Sequence, residues 1–294
     1  MRKFLAILAA TLAFFTSCSS RKTDISQASD RIVTEDLKNW VSVLGADSLM
    51  GREPFTEGEK KTVKYLAGQL KAIGFDPAFN GSYFQEVPMV GISSTVLIAG
   101  YNISVGNEVK LKSPDDIAVI SPQISNDIKI NNSEMVFAGF GIVAPEYGWN
   151  DYEGLDVKGK TVIVMINDPG LYTGDSSFFK GREMTYYGRW VYKYEEAARQ
   201  GASGILIIHE EVGAGYPFTI PRKSAISPQL YMDRPDKNKG LCDFTGWISA
   251  SAAETLLSAS GYNLEKLRTD ACTREFVGFP LKTRFFLTIN NSFR

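Results

Sequence analysis

Residues 190–209, Trp190-Val191-Tyr192-Lys193-Tyr194-Glu195-Glu196-Ala197-Ala198-Arg199-Gln200-Gly201-Ala202-Ser203-Gly204-Ile205-Leu206-Ile207-Ile208-His209, read as a helix over 190–200 that Gly201 closes, followed at once by an apolar strand over 205–208. Working outward, short apolar runs bounded by turn residues predict strands over 83–90, 95–101, 117–120, 135–139, 161–166 and 283–289. Helices are few: 252–259, closed by Gly261, and a shorter one over 264–269. Strands outnumber helices, so the middle of the chain predicts a β-rich α/β module of roughly 200 residues.

Two helices precede it. Over 34–44, Leu37, Trp40, Val41 and Leu44 recur at helical spacing, with Thr34 placed as N-cap. After the loop Leu49-Met50-Gly51-Arg52-Glu53-Pro54, residues 57–73 form an amphipathic helix whose stripe is Val63, Leu66, Ala67, Leu70 and Ile73. Glu57 and Glu59 suit its positive N-terminal end, and Gly74 caps it.

The chain has 294 residues, 44% hydrophobic and 22% charged, with a formal net charge of −1. No strong field is available to gather nucleic acid or an anionic membrane surface. Arg2 and Lys3 precede an apolar run from Phe4 to Phe15, too short for a mature membrane span. Small residues then lead into Cys18, the pattern of a bacterial lipoprotein signal, which implies thioether lipidation of the Cys18 sulfur and cleavage before it. A plain secretory signal cut near Ser17 is the alternative. The implied location is extracytoplasmic, lipid-anchored to the cell envelope, on the periplasmic or outer-membrane face. In such a compartment Cys242 and Cys272, the two remaining cysteines, read as a disulfide or as two separately buried thiols.

Chemistry is limited by imidazole. His209 is the one histidine. His209-Glu210-Glu211-Val212-Gly213 lacks the second histidine of a His-Glu-x-x-His metal helix. Gly201-Ala202-Ser203-Gly204 falls short of a nucleophile elbow. His209 is therefore read as a strand-end histidine at the surface. Gly139-Phe140-Gly141-Ile142-Val143-Ala144 matches a loose dinucleotide pattern, but Pro145 follows immediately, so a strand and a tight loop are expected instead. The adjacent pairs Asp115-Asp116 and Glu195-Glu196 point in different directions on any regular element and read as solvated charge.

Three stretches carry a resemblance. Leu49-Met50-Gly51-Arg52-Glu53, Glu57-Gly58-Glu59-Lys60-Lys61 and Ala72-Ile73-Gly74-Phe75 together are similar to the opening of bacterial zinc aminopeptidases, with Val63 where alanine is usual. Phe137-Ala138-Gly139-Phe140-Gly141-Ile142, with Asp151-Tyr152 and Val157-Lys158-Gly159-Lys160-Thr161-Val162, resembles a protease-associated (PA) domain, and residues 193–205 resemble the helix and strand of the same domain. The resemblance implies a signal peptide over 1–18, a flexible tether over 19–33, helices of an incomplete α/β peptidase domain over 34–82, an inserted PA domain over 83–288, and a truncated return to the peptidase domain over 289–294. In the family, the ligands of two zinc ions begin in a His-x-Asp-His segment downstream of the insertion. No position here matches a ligand, so no catalytic or metal residue is assigned and no cofactor is expected in this chain.

The resemblance implies the non-catalytic front portion of a secreted lipoprotein zinc aminopeptidase. Its partners would be peptides or a catalytic domain, with no nucleic acid. Alternatives are an autonomous PA-domain lipoprotein that binds peptides or a protein partner, and a hydrolase with an unrecognised site. If the catalytic domain is absent, the helix over 57–73 has lost its partner. Its stripe is then expected to be exposed, docked on the PA module or covered by another protein.

Overall fold

A computed structural model describes residues 29–104 and 107–294. The signal segment with Cys18, and most of the tether, lie outside the described residues. The chain is α/β and divides into two compact units, one ending at Glu86 and the other Val87–Arg294.

The first unit contains α1 (Thr34–Leu44), a 3₁₀ turn (Asp47–Arg52) and α2 (Glu57–Ala72). Val33, not Thr34, is the N-cap of α1, and no side chain caps it. The buried residues of α2 are Gly58 and Thr62. A Cβ on Gly58 would strike the Leu49 carbonyl, so glycine permits this close approach. Trp40 Nε1 donates to Gln69 Oε1 across the two helices (2.9 Å). The close-packed face of α2 is therefore small and polar. Its apolar stripe, Val63, Leu66, Leu70 and Ile73, is exposed.

The second unit is built on one mixed sheet. In chain order its strands are β1 (Met89–Ser104), β2 (Asn107–Lys110), β3 (Ile117–Ile120), β4 (Asp127–Phe137), the small separate pair β5 (Val143–Ala144) and β6 (Trp149–Asn150), β7 (Thr161–Met165), β8 (Gly204–His209), β9 (Gln229–Met232), β10 (Phe244–Ser249) and β11 (Phe279–Phe293). The sheet runs β2-β1-β11-β4-β7-β8-β10-β3, with β9 also on β1. Pairing is parallel from β4 through β7 and β8 to β10, and antiparallel elsewhere. Every residue of β7 and β8 is buried, as expected of parallel strands covered on both faces. Alternate side chains of these strands enter two cores. Ile163, Met165, Leu206 and Ile208 meet α7 (Ala250–Ala259) and α8 (Leu264–Asp270) in one core. Val162, Val164, Ile205 and Ile207 share the other with Ala197 of α4 (Trp190–Arg199) and Ala225 of α6 (Thr219–Ala225). The short helices α3 (Pro169–Thr173) and α5 (Glu211–Ala214) complete the unit.

The sheet curls so that the segment after β3 comes back to β1, and buried amides clasp it there. Ser94 Oγ on β1 accepts from the Ser121 N–H (3.0 Å) and donates to Asn291 Oδ1 on β11 (2.8 Å). Asn291 Nδ2 donates to the carbonyls of Gln123 (3.0 Å) and Ser125 (3.2 Å). Gln123 Nε2 spans the carbonyls of Asn238, Leu241 and Cys242 (3.0–3.2 Å), and Asn238 Nδ2 returns to the Pro122 carbonyl (2.9 Å).

Several sequence expectations need correction. Residues 83–88 are not strand; β1 begins at Met89 and runs unbroken to Ser104. Residues 289–293, expected to leave the last strand, are themselves strand. They continue β11, with Ile289 opposite Val96 and Phe293 opposite Ile92. Asn290-Asn291 looks like the end of a strand, yet the Asn291 side chain is buried because the clasp uses its hydrogen-bonding capacity. The strands β2, β9 and β10, and the helix α6, had no sequence reading.

Replacing Asn291 with alanine strands the buried Gln123 carbonyl and removes a partner from the Ser125 carbonyl. Equilibrium urea unfolding is expected to show a loss of about 2–3 kcal/mol, whereas Asn290→Ala, on an exposed side chain, should change stability little.

Candidate functional site

The residues that carry the PA-type pattern converge on one place. After β4 the chain turns through Gly139 (φ 52°) and Gly141 (φ 64°), both in the left-handed region that favours glycine. A Cβ on Gly139 would lie 2.8 Å from Asp151 Oδ1. This close approach lets Asp151 Oδ2 accept from the Ile142 N–H (2.9 Å), while the Gly139 carbonyl accepts from the Met165 N–H (2.8 Å). No helix starts at this loop; a short strand and a 3₁₀ turn over Pro145–Tyr147 follow. On α4 the Tyr192 hydroxyl accepts from the Val143 N–H (3.0 Å), and Glu196 takes Arg199, Gln200 and Tyr192. Glu196 is buried, so the Glu195-Glu196 pair is not simply solvated charge. The charge of Glu196 is met by Arg199 at 2.7 Å.

At the centre lies Lys193, fully buried, its Nζ donating to the Asn167 carbonyl (2.8 Å). Burial pushes the lysine well below its ordinary value, and the nearby Asp151 and Asp168 oppose that shift. Burial likewise pushes Asp151 up to about 7 and raises Asp168 from its ordinary value, against their hydrogen bonds and Lys193. Asp168 is fully buried; it caps α3 through the Gly170 N–H (3.1 Å) and accepts from Thr185 Oγ1 (2.7 Å). Lys193 and Asp168 are fully buried with their partners engaged and hold loops together, while Asp151 lies at the edge of a concavity of about 140 Å³ that Trp149 and Arg274 also line.

His209 is not at the surface. It is the last residue of β8, 3% exposed, with Phe218, Trp247 and Tyr216 around its ring at 5.2–5.8 Å and no hydrogen bond at Nε2. The sequence misled because the segment after α5 folds an aromatic cover over the strand end. Burial lowers the imidazole below its ordinary value, which keeps it neutral. Cys242 and Cys272 are free thiols. Cys242 belongs to one core and Cys272 packs on the other, so the sheet separates them and they are not paired. Burial raises both, to about 12 and about 11.

The opening most suited to a ligand is elsewhere, and sequence reasoning did not find it. Two adjoining concavities of about 130 and 300 Å³ share Ile120, Trp190, Tyr194 and Gln229. Tyr216, Trp247 and Pro221 wall one of them, and Tyr231, Leu230 and Pro122 wall the other. Trp190 is 45% exposed and packs edge-on to Tyr194 (5.5 Å). The lining carries one charged residue, Glu195, which is occupied by Arg199 (3.7 Å) and the Tyr186 hydroxyl (2.8 Å). No hydrogen bond among the described residues engages the hydroxyls of Tyr194, Tyr216 and Tyr231 or the Trp190 indole N–H. The signal was the density of Trp and Tyr in α4, but only the fold shows which of them face out together.

No family model matches the chain, and no curated protein matches it. Among solved structures, the aminopeptidase from Aneurinibacillus sp. strain AM-1 is similar with a TM-score of 0.35 at 15% identity, over 90% of this chain and 47% of that one. The chain thus spans about half the length of that aminopeptidase. Among the described residues no helix is long and apolar enough to cross a membrane.

Lys193→Met removes the only cation facing Asp151 and Asp168 in the centre, and denaturant unfolding should show a loss of about 3 kcal/mol at neutral pH. The deficit grows as pH rises above about 7: there the wild type gains stability because its buried lysine releases a proton that the unfolded chain keeps, and the variant has no such gain. For His209 the sign is reversed with falling pH. The unfolded imidazole takes its proton first, near pH 6.5, so stability present above that value is lost below it. The thermal midpoint of His209→Leu should therefore fall less between pH 7 and pH 5 than that of the wild type.

Proposed function

We propose that this chain is a peptide-binding, non-catalytic portion of a zinc aminopeptidase of the cell envelope: a PA-type module joined to helices of the peptidase domain and tethered through lipid on Cys18. The observation that carries the binding role is the aromatic groove, which is concave and apolar, has one already paired charge, and presents free polar tips. Such a surface can hold an extended chain by stacking and by hydrogen bonds to its carbonyls. The non-catalytic role rests on the residues. The one imidazole is sealed among aromatic rings, and Lys193 and Asp168 are fully buried. The exposed stripe of α2 suits a catalytic domain that would bury it.

A second reading, an autonomous binding lipoprotein, is favoured by one specific observation. The unit Val87–Arg294 completes its own sheet and two cores. Both readings use the groove in the same way.

Equilibrium dialysis against a mixed pool of short peptides should show retention by the purified protein. Aminoacyl-nitroanilides with added zinc should yield no chelator-sensitive turnover. Turnover would sink the non-catalytic role, and a pool that passes through unretained would sink the binding role.

A further inference from the structure

We infer that the groove walled by Trp190, Tyr194, Tyr216 and Tyr231 selects an uncharged, proline-rich segment in the extended polyproline conformation; this rests on the peptide-binding reading above. The charge pattern is the first reason. Glu195 is the one ionic group of the lining and is already paired, so a charged occupant would lose water and find no counter-ion. The second reason is the kind of polar tip on offer. An indole N–H only donates, and a phenol donates readily. A proline-rich chain has carbonyls to satisfy and almost no N–H groups, which matches donors spaced along an aromatic surface. An ordinary extended peptide brings an N–H at each residue and would leave several of them dry.

The third reason is the lack of alternatives for a sugar. A hydroxyl-rich ring needs free amides that both give and accept, or free carboxylates that accept. Here the Gln229 amide N–H is taken by the carbonyls of Ser224 (2.8 Å) and Ser227 (3.0 Å), and Glu195 is occupied. The polyproline helix is also ordered before it binds, so compact apolar pyrrolidine rings can pack on Trp190 and the tyrosines with little loss of chain entropy.

The test is calorimetric titration of the whole protein with three uncharged probes: a capped oligoproline, a capped peptide of the same length with alternate prolines replaced by alanine, and a neutral gluco-oligosaccharide. The oligoproline is expected to bind at least about tenfold more tightly than the alanine-substituted peptide. Trp190→Ala, at an exposed side chain, should weaken it about tenfold, and Tyr231→Phe, which keeps the ring and removes the hydroxyl, should weaken it to a smaller but measurable degree. Unchanged thermal midpoints would show that both variants fold. Equal affinity for the two peptides, or oligoproline affinity unaffected by Trp190→Ala, overturns this proposal and leaves the peptide-binding reading standing. Binding of the oligosaccharide alone, or of no probe in a protein that also fails to retain the mixed pool, overturns both.

Discussion

Closing a curled sheet leaves a seam, and here the seam is held by side-chain amides. The strands β1 and β3 form no ladder with each other, so the backbone groups of the segment after β3 need other partners. Ser94, Gln123, Asn238 and Asn291 supply them, and three of the four are almost completely buried. Each amide bonds backbone carbonyls and thereby fixes the path of a loop as well as satisfying it. The position of β3 depends on this closure, and so does Ile120, which forms the shared floor of the aromatic groove.

The second constraint is the buried charge on the far side of α4. Lys193 points inward, and Trp190 and Tyr194 point outward on the same helix. Burying a lysine is costly unless its surroundings are polar. The Gly139–Asp151 loop and the Asn167–Asp168 turn provide those surroundings and lock the helix in rotation. That locking determines which aromatic rings face solvent. A core made only of apolar contacts would tolerate a small roll of the helix; a lysine that must reach the Asn167 carbonyl does not.

What was legible in the sequence follows from this. The central strands and α4 were readable because continuous apolar runs and a closing glycine are local signals, and β3, β7 and β8 lie within a residue or so of where they were expected. The clasp was not readable, because Asn291 reads as a turn residue until the carbonyls of Gln123 and Ser125 are placed beside it. His209 was misjudged for the same reason. A polar residue after an apolar strand usually meets water, but Phe218 folds back from the segment after α5 and Trp247 arrives from β10. The pairing of Cys242 with Cys272 was open on parity alone, and the sheet between them decided it.

The two units also differ in how they use apolar residues. In the module, aliphatic and aromatic side chains fill two cores, and Trp190, Tyr194, Tyr216 and Tyr231 line one groove. In the helical unit, α2 turns its glycine and threonine inward and leaves Val63, Leu66, Leu70 and Ile73 in solvent. A stripe of aliphatic residues has no hydrogen-bonding tips and suits permanent burial by a matching surface, whereas Trp and Tyr lower the cost of repeated exposure because each keeps a polar end in water. On the proposed function, the first of these surfaces is assigned to assembly and the second to recognition.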